Sequence, residues 1–160
     1  MYQGEELGLP EVWDLPLDVL DDPTWARSGQ TEKGRDGCRV PLPWTRSGPS
    51  LGFGAGSGWL PQPPHFAERS VEAQEEAPSS MLALYREAIA ARRYFFGEDD
   101  SFHLLDYGPG VLAWQRGELV AMVNMGRRPV PLPSGEVVLS SATGSLSGEL
   151  PVDTAVWVRS

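Results

Sequence analysis

The hydrophobic pattern divides the chain into three parts. From about residue 9 to residue 78 the apolar residues follow no sustained period, and prolines and glycines interrupt them repeatedly. The following stretch, Ser79–Phe96, repeats its apolar residues at helical spacing. From Phe102 onward the period falls towards two, which is typical of strands. The pattern predicts an α+β chain with an irregular first half, one main helix and a β region at its end.

The helix is bounded by recognisable signals. Pro78 precedes Ser79 and Ser80, and either serine can cap the first turn. Gly97 follows as a stop, after arginines in the later turns. The apolar positions predict a core-facing stripe, formed by Met81, Leu84, Tyr85, Ala88, Ile89, Phe95 and Phe96.

The end of the chain alternates short apolar runs with turn residues. This spacing predicts a small antiparallel sheet or sandwich. Arg116-Gly117 is expected to form a two-residue hairpin turn between two of the strands. The predicted strands are Phe102–Tyr107, Val111–Gln115, Glu118–Met125, Pro129–Leu132, Glu136–Ser140 and Ala155–Arg159.

The irregular first half is far longer than the roughly 4–6 residues of an ordinary connection, which makes it functional, disordered or part of a larger fold. It is rich in aromatic residues, whereas disordered tracts are poor in them, so we expect it to pack on a scaffold. The aromatic residues are Trp13, Trp25, Trp44, Phe53, Trp59 and Phe66.

Composition narrows the class of protein. The length of 160 residues is that of one ordinary domain, and 41% hydrophobic content is enough for a core. A net charge of -9 with scattered basic residues disfavours nucleic acid as a partner. No cofactor is expected, and one cysteine with two histidines excludes a zinc cluster. With no apolar run of about 20 residues and no signal-like N-terminus, we expect no membrane contact and a cytoplasmic location.

Two other local patterns are interpreted as ordinary loops. The acidic residues Asp14, Asp18, Asp21 and Asp22 lack the alternating ligands and central glycine of a calcium loop, so a solvated face is expected. The glycine-rich segment 52–58 lacks the spacing of a dinucleotide-binding loop, so we expect a flexible turn with Trp59 anchoring its end.

The strongest candidate for chemistry is the segment 34–44, which contains Arg35, Asp36, Arg39 and Trp44. Arginine donors suit carboxylates or neighbouring hydroxyls, and a tryptophan face can carry the apolar side of a ring. The segment therefore suits a sugar as well as a phosphate. The alternative interpretation is an Arg–Asp pair that only pins a loop.

Three linked motifs resemble one enzyme family. They are Tyr2-Gln3-Gly4-Glu5-Glu6-Leu7-Gly8-Leu9-Pro10, Gly34-Arg35-Asp36-Gly37-Cys38-Arg39-Val40-Pro41-Leu42-Pro43-Trp44 and Trp59-Leu60-Pro61-Gln62-Pro63. Their order and spacing resemble the C-terminal part of an α-glucosidase of the α-amylase superfamily, of the oligo-1,6-glucosidase and maltase type. Val40 and Pro43 stand where the family often has Thr and Gln.

The resemblance implies the fold and its division. Residues 1–97 are expected to be the incomplete C-terminal end of a (β/α)8 catalytic barrel, with Tyr2–Gly8 at the last strand, then a long loop, then the last helix. Residues 98–160 are expected to be the C-terminal antiparallel β-sandwich. Barrel sites lie in the loops after the strands, so the segment 34–44 is expected to face a sugar.

The resemblance also implies the residues that bind substrate. Arg35 is the first choice for a contact with the nonreducing-end glucose, Arg39 the second, and Asp36 and Trp44 belong to the same loop. The nucleophile and the acid/base of a retaining glycosidase are expected from strands that precede this segment in the family. No carboxylate here matches them, and Glu5 and Glu6 are expected to lie behind the residues that touch substrate.

We therefore expect a C-terminal fragment of an α-glucosidase that hydrolyses terminal α-linked glucose in its parent enzyme and is inactive alone. The alternatives are a noncatalytic module that binds α-glucosides or oligosaccharides, and a partner that completes a barrel supplied by another chain. A missing N-terminal barrel chain, or self-association, is the expected protein partner.

Overall fold

The computed structural model describes residues 1–96 and 101–160. The chain forms two compact units, Met1–Ala83 and Leu84–Ser160. The helix stop expected at Gly97 and the domain boundary expected between residues 97 and 98 lie outside the described residues.

The first unit is built from turns and short helices. Tyr2–Gly8, expected at the position of the last barrel strand, is not a strand; it forms a turn and one 3₁₀ segment. Gly4 and Gly8 bracket that segment with φ of 91° and 62°, and Leu9 N donates to Gly4 O over 3.0 Å, so the backbone reverses. The 3₁₀ segments of the unit are Glu5–Leu7, Leu17–Val19, Asp36–Cys38, Pro49–Gly52 and Pro64–Arg69.

A small hydrophobic core holds the first unit together. It consists of Val12, Leu15, Val40, Leu60 and Phe66, all buried. The long irregular segment thus packs on itself, mainly through aliphatic side chains and one phenylalanine. Of its aromatic residues, Phe66 belongs to this core, whereas Trp13, Trp44, Phe53 and Trp59 are exposed.

Side-chain amides replace much of the missing regular hydrogen bonding. The buried Gln74 side chain donates from Nε2 to Leu7 O over 2.9 Å and accepts from Leu82 N at Oε1 over 3.1 Å. It therefore joins the N-terminal turn to the start of the main helix. In the same way Gln62 Nε2 donates to Pro41 O over 2.9 Å.

The described residues form three α-helices: α1 (Pro23–Arg27), α2 (Val71–Gln74) and α3 (Met81–Phe96). Each begins at a side-chain cap. Asp22 accepts from Thr24 N, Ser70 accepts from Ala73 N, and Ser80 Oγ accepts from Ala83 N over 3.1 Å. The helix predicted over Ser79–Phe96 is confirmed, with Ser80 as its cap.

The apolar stripe of α3 is only half-buried. Leu82, which was not assigned to the stripe, is the buried residue of the helix, whereas Met81 and Ile89 are exposed. Near the end of α3, the Phe96 ring lies 5.7 Å from the Trp157 ring on the sheet of the second unit. The predicted apolar stripe is therefore only partly covered by other residues.

Within residues 84–96 and 101–160, the second unit contains a five-stranded antiparallel sheet and a two-stranded ladder. The sheet has the order β1-β2-β3-β7-β5, and the ladder pairs β4 with β6. The pairing of Arg116 with Leu119 makes the β2–β3 turn Gly117-Glu118, one residue later than predicted. The strands are β1 (His103–Leu105), β2 (Val111–Arg116), β3 (Leu119–Asn124), β4 (Val130–Pro131), β5 (Glu136–Ser140), β6 (Glu149–Leu150) and β7 (Thr154–Arg159).

The core of this unit lies between the two sheets. Buried side chains from β2, β3 and β7 meet Leu150 of β6, and Val130 of β4 packs against them. The predicted antiparallel sandwich is confirmed, and β6 is the strand that the sequence did not predict. Among residues 1–96 and 101–160, no helix is long and apolar enough to cross a membrane.

Asn124 joins the layers of this unit, so its removal should be costly. The side chain is fully buried; Nδ2 donates to Arg128 O (2.9 Å) and Leu150 O (3.0 Å), and Oδ1 accepts from Gly126 N (2.9 Å). Because Asn124→Ala leaves these groups without partners, we expect a loss of about 2 kcal/mol in urea unfolding. Gln115→Ala removes an exposed hydrogen bond from the side-chain amide to Gly117 O, and it should cost less than about 0.5 kcal/mol. Equal losses in the two variants would contradict this role.

Candidate functional site

The segment 34–44 is held against the segment before α1 by one buried carboxylate. Asp36 is 0% exposed, and its Oδ2 accepts from Asp21 N over 2.7 Å and from Asp22 N over 2.8 Å. Its Oδ1 lies 3.3 Å from Nη1 of Arg39, one turn along the 3₁₀ segment. Asp36 thus closes a loop of irregular backbone that has no ladder of its own.

Asp22 is the second half of this arrangement, and the expectation that it lies on a solvated face was wrong. It is buried, caps α1 through Oδ1, and its Oδ2 lies 3.3 Å from Arg35 Nε and 3.1 Å from Arg39 Nη1. The hydrogen bonds from Thr24, followed by those from Arg35, hold the pKa of Asp22 well below its ordinary value. The signal in the sequence was the Asp-Pro-Thr run, which is a helix start with Asp at the cap and Pro at the first position.

Two glycines allow the segments to approach. A Cβ at Gly34, where φ is 72°, would lie 2.6 Å from the Asp22 side chain. A Cβ at Gly37 would lie 2.6 Å from Val12 O, and Val12 N donates to Gly37 O over 3.1 Å. Any residue larger than glycine at position 37 would therefore clash with the backbone of Val12.

The two arginines differ in exposure. The Arg35 side chain is 73% exposed, while that of Arg39 is 36% exposed and contacts both aspartates through Nη1. Burial lowers the pKa of Arg39, but the charge of Asp22 and the hydrogen bond to Asp36 outweigh it and raise the pKa overall. Two guanidinium groups and two carboxylates cancel in formal charge, so the cluster is neutral as a whole.

The other predicted site residues, Trp44, Glu5 and Glu6, take no part in the ion pairs of this cluster. Trp44 is fixed by its backbone, since its N donates to Leu51 O over 2.8 Å, and its ring is half exposed. Glu6 is used locally, because its Oε2 accepts from Gly4 N over 3.0 Å. Glu5 lines a small cavity of about 140 Å³.

A cleft of about 280 Å³ opens beside Arg39. It is lined by Gln3, Arg39, Pro41, Leu42, Phe53, Gly58, Trp59 and Leu60. The expectation that Trp59 anchors the end of the glycine-rich segment was wrong: Leu60 is buried there, and the Trp59 ring is exposed. The cleft therefore combines a guanidinium and an amide with two aromatic rings.

Neither a metal cluster nor an activated thiol is found at this site. Within the described ranges, 1–96 and 101–160, no group of three or more His, Cys, Asp or Glu side chains could hold a metal ion. Burial raises the pKa of the Cys38 thiol, and Glu11 adds to that rise. The site offers hydrogen-bond donors and exposed aromatic rings on a fixed loop, which are groups that can contact a ligand.

The first unit carries the Arg35–Asp36–Arg39 cluster on irregular backbone, and the second unit is an antiparallel β-sandwich. The family model of the alpha amylase catalytic domain matches residues 1–96. The chain belongs to the alpha-amylase family.

Among its relatives, a probable alpha-glucosidase of Rhizobium meliloti (strain 1021) is 42% identical over 93 residues, 58% of this chain and 16% of that protein. The oligo-1,6-glucosidase of Parageobacillus thermoglucosidasius is 32% identical over 110 residues, 58% of this chain and 19% of that protein. The chain thus spans less than a fifth of the length of these two relatives.

The fold is also similar to that of solved enzymes. The crystal structure of the alpha-glucosyl transfer enzyme XgtA superposes with a TM-score of 0.74 at 31% identity, covering 99% of this chain and 32% of that one. The resemblance to the C-terminal part of an α-glucosidase-type enzyme, with a barrel remnant followed by a sandwich, is confirmed.

Removing the Asp36 carboxylate should loosen the whole first unit. Asp36→Ala leaves the N–H groups of Asp21 and Asp22 without acceptors, so we expect a loss of about 2–4 kcal/mol in urea unfolding. Amide hydrogen exchange at these two residues should accelerate in step. Asp18→Ala, at an exposed position nearby, should stay within about 0.5 kcal/mol of the wild type. Unchanged protection in Asp36→Ala would show that the carboxylate does not hold the loop.

Asp22 should make the first unit sensitive to acid. Because the folded-state pKa lies below the ordinary value of 3.8, the charge of Asp22 stabilises the fold above that value, and this contribution is lost as the pH falls through the folded-state pKa. The urea midpoint of the wild type should therefore fall between about pH 5 and about pH 2. Asp22→Asn should have a lower midpoint at neutral pH and a flatter acid profile. Asp18→Asn should keep the wild-type profile, and an equally steep profile in Asp22→Asn would disprove the linkage.

Proposed function

We propose that this chain is the C-terminal region of an α-glucosidase that removes terminal α-linked glucose, and that it supplies one wall of the glucose site. The observation that carries the proposal is the interlocked cluster of Arg35, Asp36, Arg39 and Asp22, built on the Arg-Asp-x-x-Arg motif. Its similarity to a probable alpha-glucosidase and to an oligo-1,6-glucosidase supports the substrate class. An α-glucoside or oligosaccharide is the proposed ligand.

The roles follow from exposure and bonding. Arg35 is the proposed contact to the glucose hydroxyls, because its guanidinium extends into solvent while its Nε is tied to Asp22. Arg39 is the second proposed contact. Asp36 is buried and engaged on both oxygens, so it acts by positioning the two arginines. Trp44 offers a half-exposed ring on the same loop.

The catalytic carboxylates are proposed to come from the rest of the barrel. A retaining glycosidase needs a nucleophile and an acid/base about 5 Å apart. Glu6 holds its own turn, and Asp22 and Asp36 are committed to the loop cluster. We therefore assign Glu5 and Glu6 a supporting position and keep the division into a barrel end over residues 1–97 and a sandwich over residues 98–160.

A chimera tests the proposal. This chain would replace the corresponding region of the Rhizobium meliloti relative, with which it is 42% identical over 93 residues. We expect the chimera to hydrolyse 4-nitrophenyl α-glucoside and the 160-residue chain alone to leave it intact. A folded but inactive chimera, beside an active parent, would contradict the proposal, and so would turnover by the chain alone.

Within the chimera, Arg35→Ala should lower kcat/KM by about a hundredfold, because a charge-assisted contact to the sugar is lost. Arg46→Ala removes an exposed arginine that lies two residues after the segment 34–44, and it should stay within about twofold of the chimera. Circular dichroism and the urea midpoint would establish that both variants are folded. Equal activities of the two variants would remove Arg35 from the site.

A further inference from the structure

We propose that the turn of residues 125–129, between β3 and β4, forms an anion site with the facing loop at Pro109 and Gly110, and that this site binds the phosphate group of a small organic phosphate. The groups that hold the phosphate are the side chains of Arg127 and Arg128. The site belongs to the second unit alone, and it does not depend on the glycoside hydrolysis proposed above.

The first argument is the charge of the cleft at this turn. Arg127 and Arg128 both line the cleft, and no Asp or Glu is among the described residues that line it. Both arginines are exposed, and within residues 1–96 and 101–160 neither forms an ion pair. Arg159 of the same unit, by contrast, pairs with Glu136. In a chain of net charge -9, two adjacent guanidinium groups without a carboxylate are open to an external anion.

The second argument is that the turn brings both arginines to one cleft. In a strand, neighbouring side chains point to opposite faces, so two consecutive arginines would be separated. Strand β3 ends at Asn124 and β4 begins at Val130, so Arg127 and Arg128 lie on irregular backbone and both line the cleft. Like charges on one side of a turn repel each other, and a doubly negative ligand between them removes that cost. This arrangement favours a dianion over a monoanion.

The third argument is the backbone of the turn, which adds hydrogen-bond donors. Gly126 N donates to Asn124 Oδ1 over 2.9 Å, so that amide is engaged. The amides of Arg127 and Arg128 donate to no group within the described ranges, 1–96 and 101–160. Consecutive N–H groups in a turn are a recurrent anion-binding arrangement in proteins. Here they add to the guanidinium donors of the same two residues.

The fourth argument is that the frame around the turn is already ordered. Asn124 is fully buried, and its Nδ2 donates to Arg128 O over 2.9 Å. On the facing side, Met125 N donates to Gly110 O over 2.8 Å, and a Cβ at Gly110 would lie 2.8 Å from the Cα of Gly126. The loop and the turn are therefore packed against each other, and little backbone order has to be gained when a ligand binds.

The size and the apolar part of the cleft indicate an organic phosphate. The cleft has a volume of about 450 Å³, which lies in the range of small-molecule sites and is more than a phosphate group alone needs. Pro109, Met125 and Val130 supply apolar lining, and Met125 is 60% exposed. Arginine donors match the oxygens of a phosphate in pairs. The phosphate then lies at Arg127 and Arg128, and the organic part lies against Met125.

Titration of the ¹⁵N-labelled 160-residue chain with phenyl phosphate and with inorganic phosphate tests the inference by NMR, at constant ionic strength and at about pH 7.5, where both ligands are mainly dianions. We expect saturable shifts at the amides of Gly126, Arg127 and Arg128. Phenyl phosphate should bind about three- to tenfold more tightly than inorganic phosphate, because its ring contacts Met125. Arg127→Gln and Arg128→Gln, each followed at the Gly126 amide, should weaken phenyl phosphate binding by about tenfold.

The matched control is Arg92→Gln, because Arg92 is exposed on α3 and lies outside the cleft lining. It makes the same change of charge and should bind phenyl phosphate within about twofold of the wild type. Met125→Ala should remove the preference for phenyl phosphate over inorganic phosphate. An unchanged urea midpoint would establish that each variant is folded. The inference is overturned if the shifts at the turn do not saturate, if the three glutamine variants bind alike, or if inorganic phosphate binds the wild type as tightly as phenyl phosphate does.

Discussion

The Asp36 carboxylate is the contact on which the first unit depends, because it supplies the acceptors that an irregular backbone lacks. Its Oδ2 accepts from the N–H groups of Asp21 and Asp22, fifteen and fourteen residues away along the chain. Asp22, brought into place by this bond, caps α1 and receives both arginines. A buried carboxylate is tolerated only when it is paired and hydrogen-bonded, and both conditions are met here.

Hydrogen bonds from a side chain to a distant backbone group recur throughout the first unit. Gln74, Gln62 and Arg69 each bind the carbonyl of a distant residue, with Arg69 Nη1 2.8 Å from Gly8 O. Strands and long helices satisfy backbone groups locally, whereas this unit satisfies them with side chains reaching across the fold. The core beneath is small, so the correct folding of the segment depends on polar contacts as much as on apolar packing.

The difference between the two units explains what the sequence could predict. Helix α3 and six of the seven strands in the described ranges were expected within one or two residues, because period and turn residues are local signals. The strand β6 is only two residues long and lacks a period. Asp22 was assigned to a solvated face because its burial depends on Asp36, Arg35 and Arg39, none of which is its neighbour in sequence. Linked motifs singled out the segment 34–44, but the exposure of Phe53 and Trp59 could only be seen in three dimensions.

The contacts within the cluster also restrain the two arginines to different degrees. An arginine carries substantial rotamer freedom, which a ligand has to remove on binding. For Arg39 that freedom is already restricted, since one terminal nitrogen contacts two buried carboxylates of the protein itself. Arg35 is held only at Nε and keeps its outer donors in solvent. The cluster is thus organised by its own ion pairs, with Arg39 fixed by two carboxylates and Arg35 left more open.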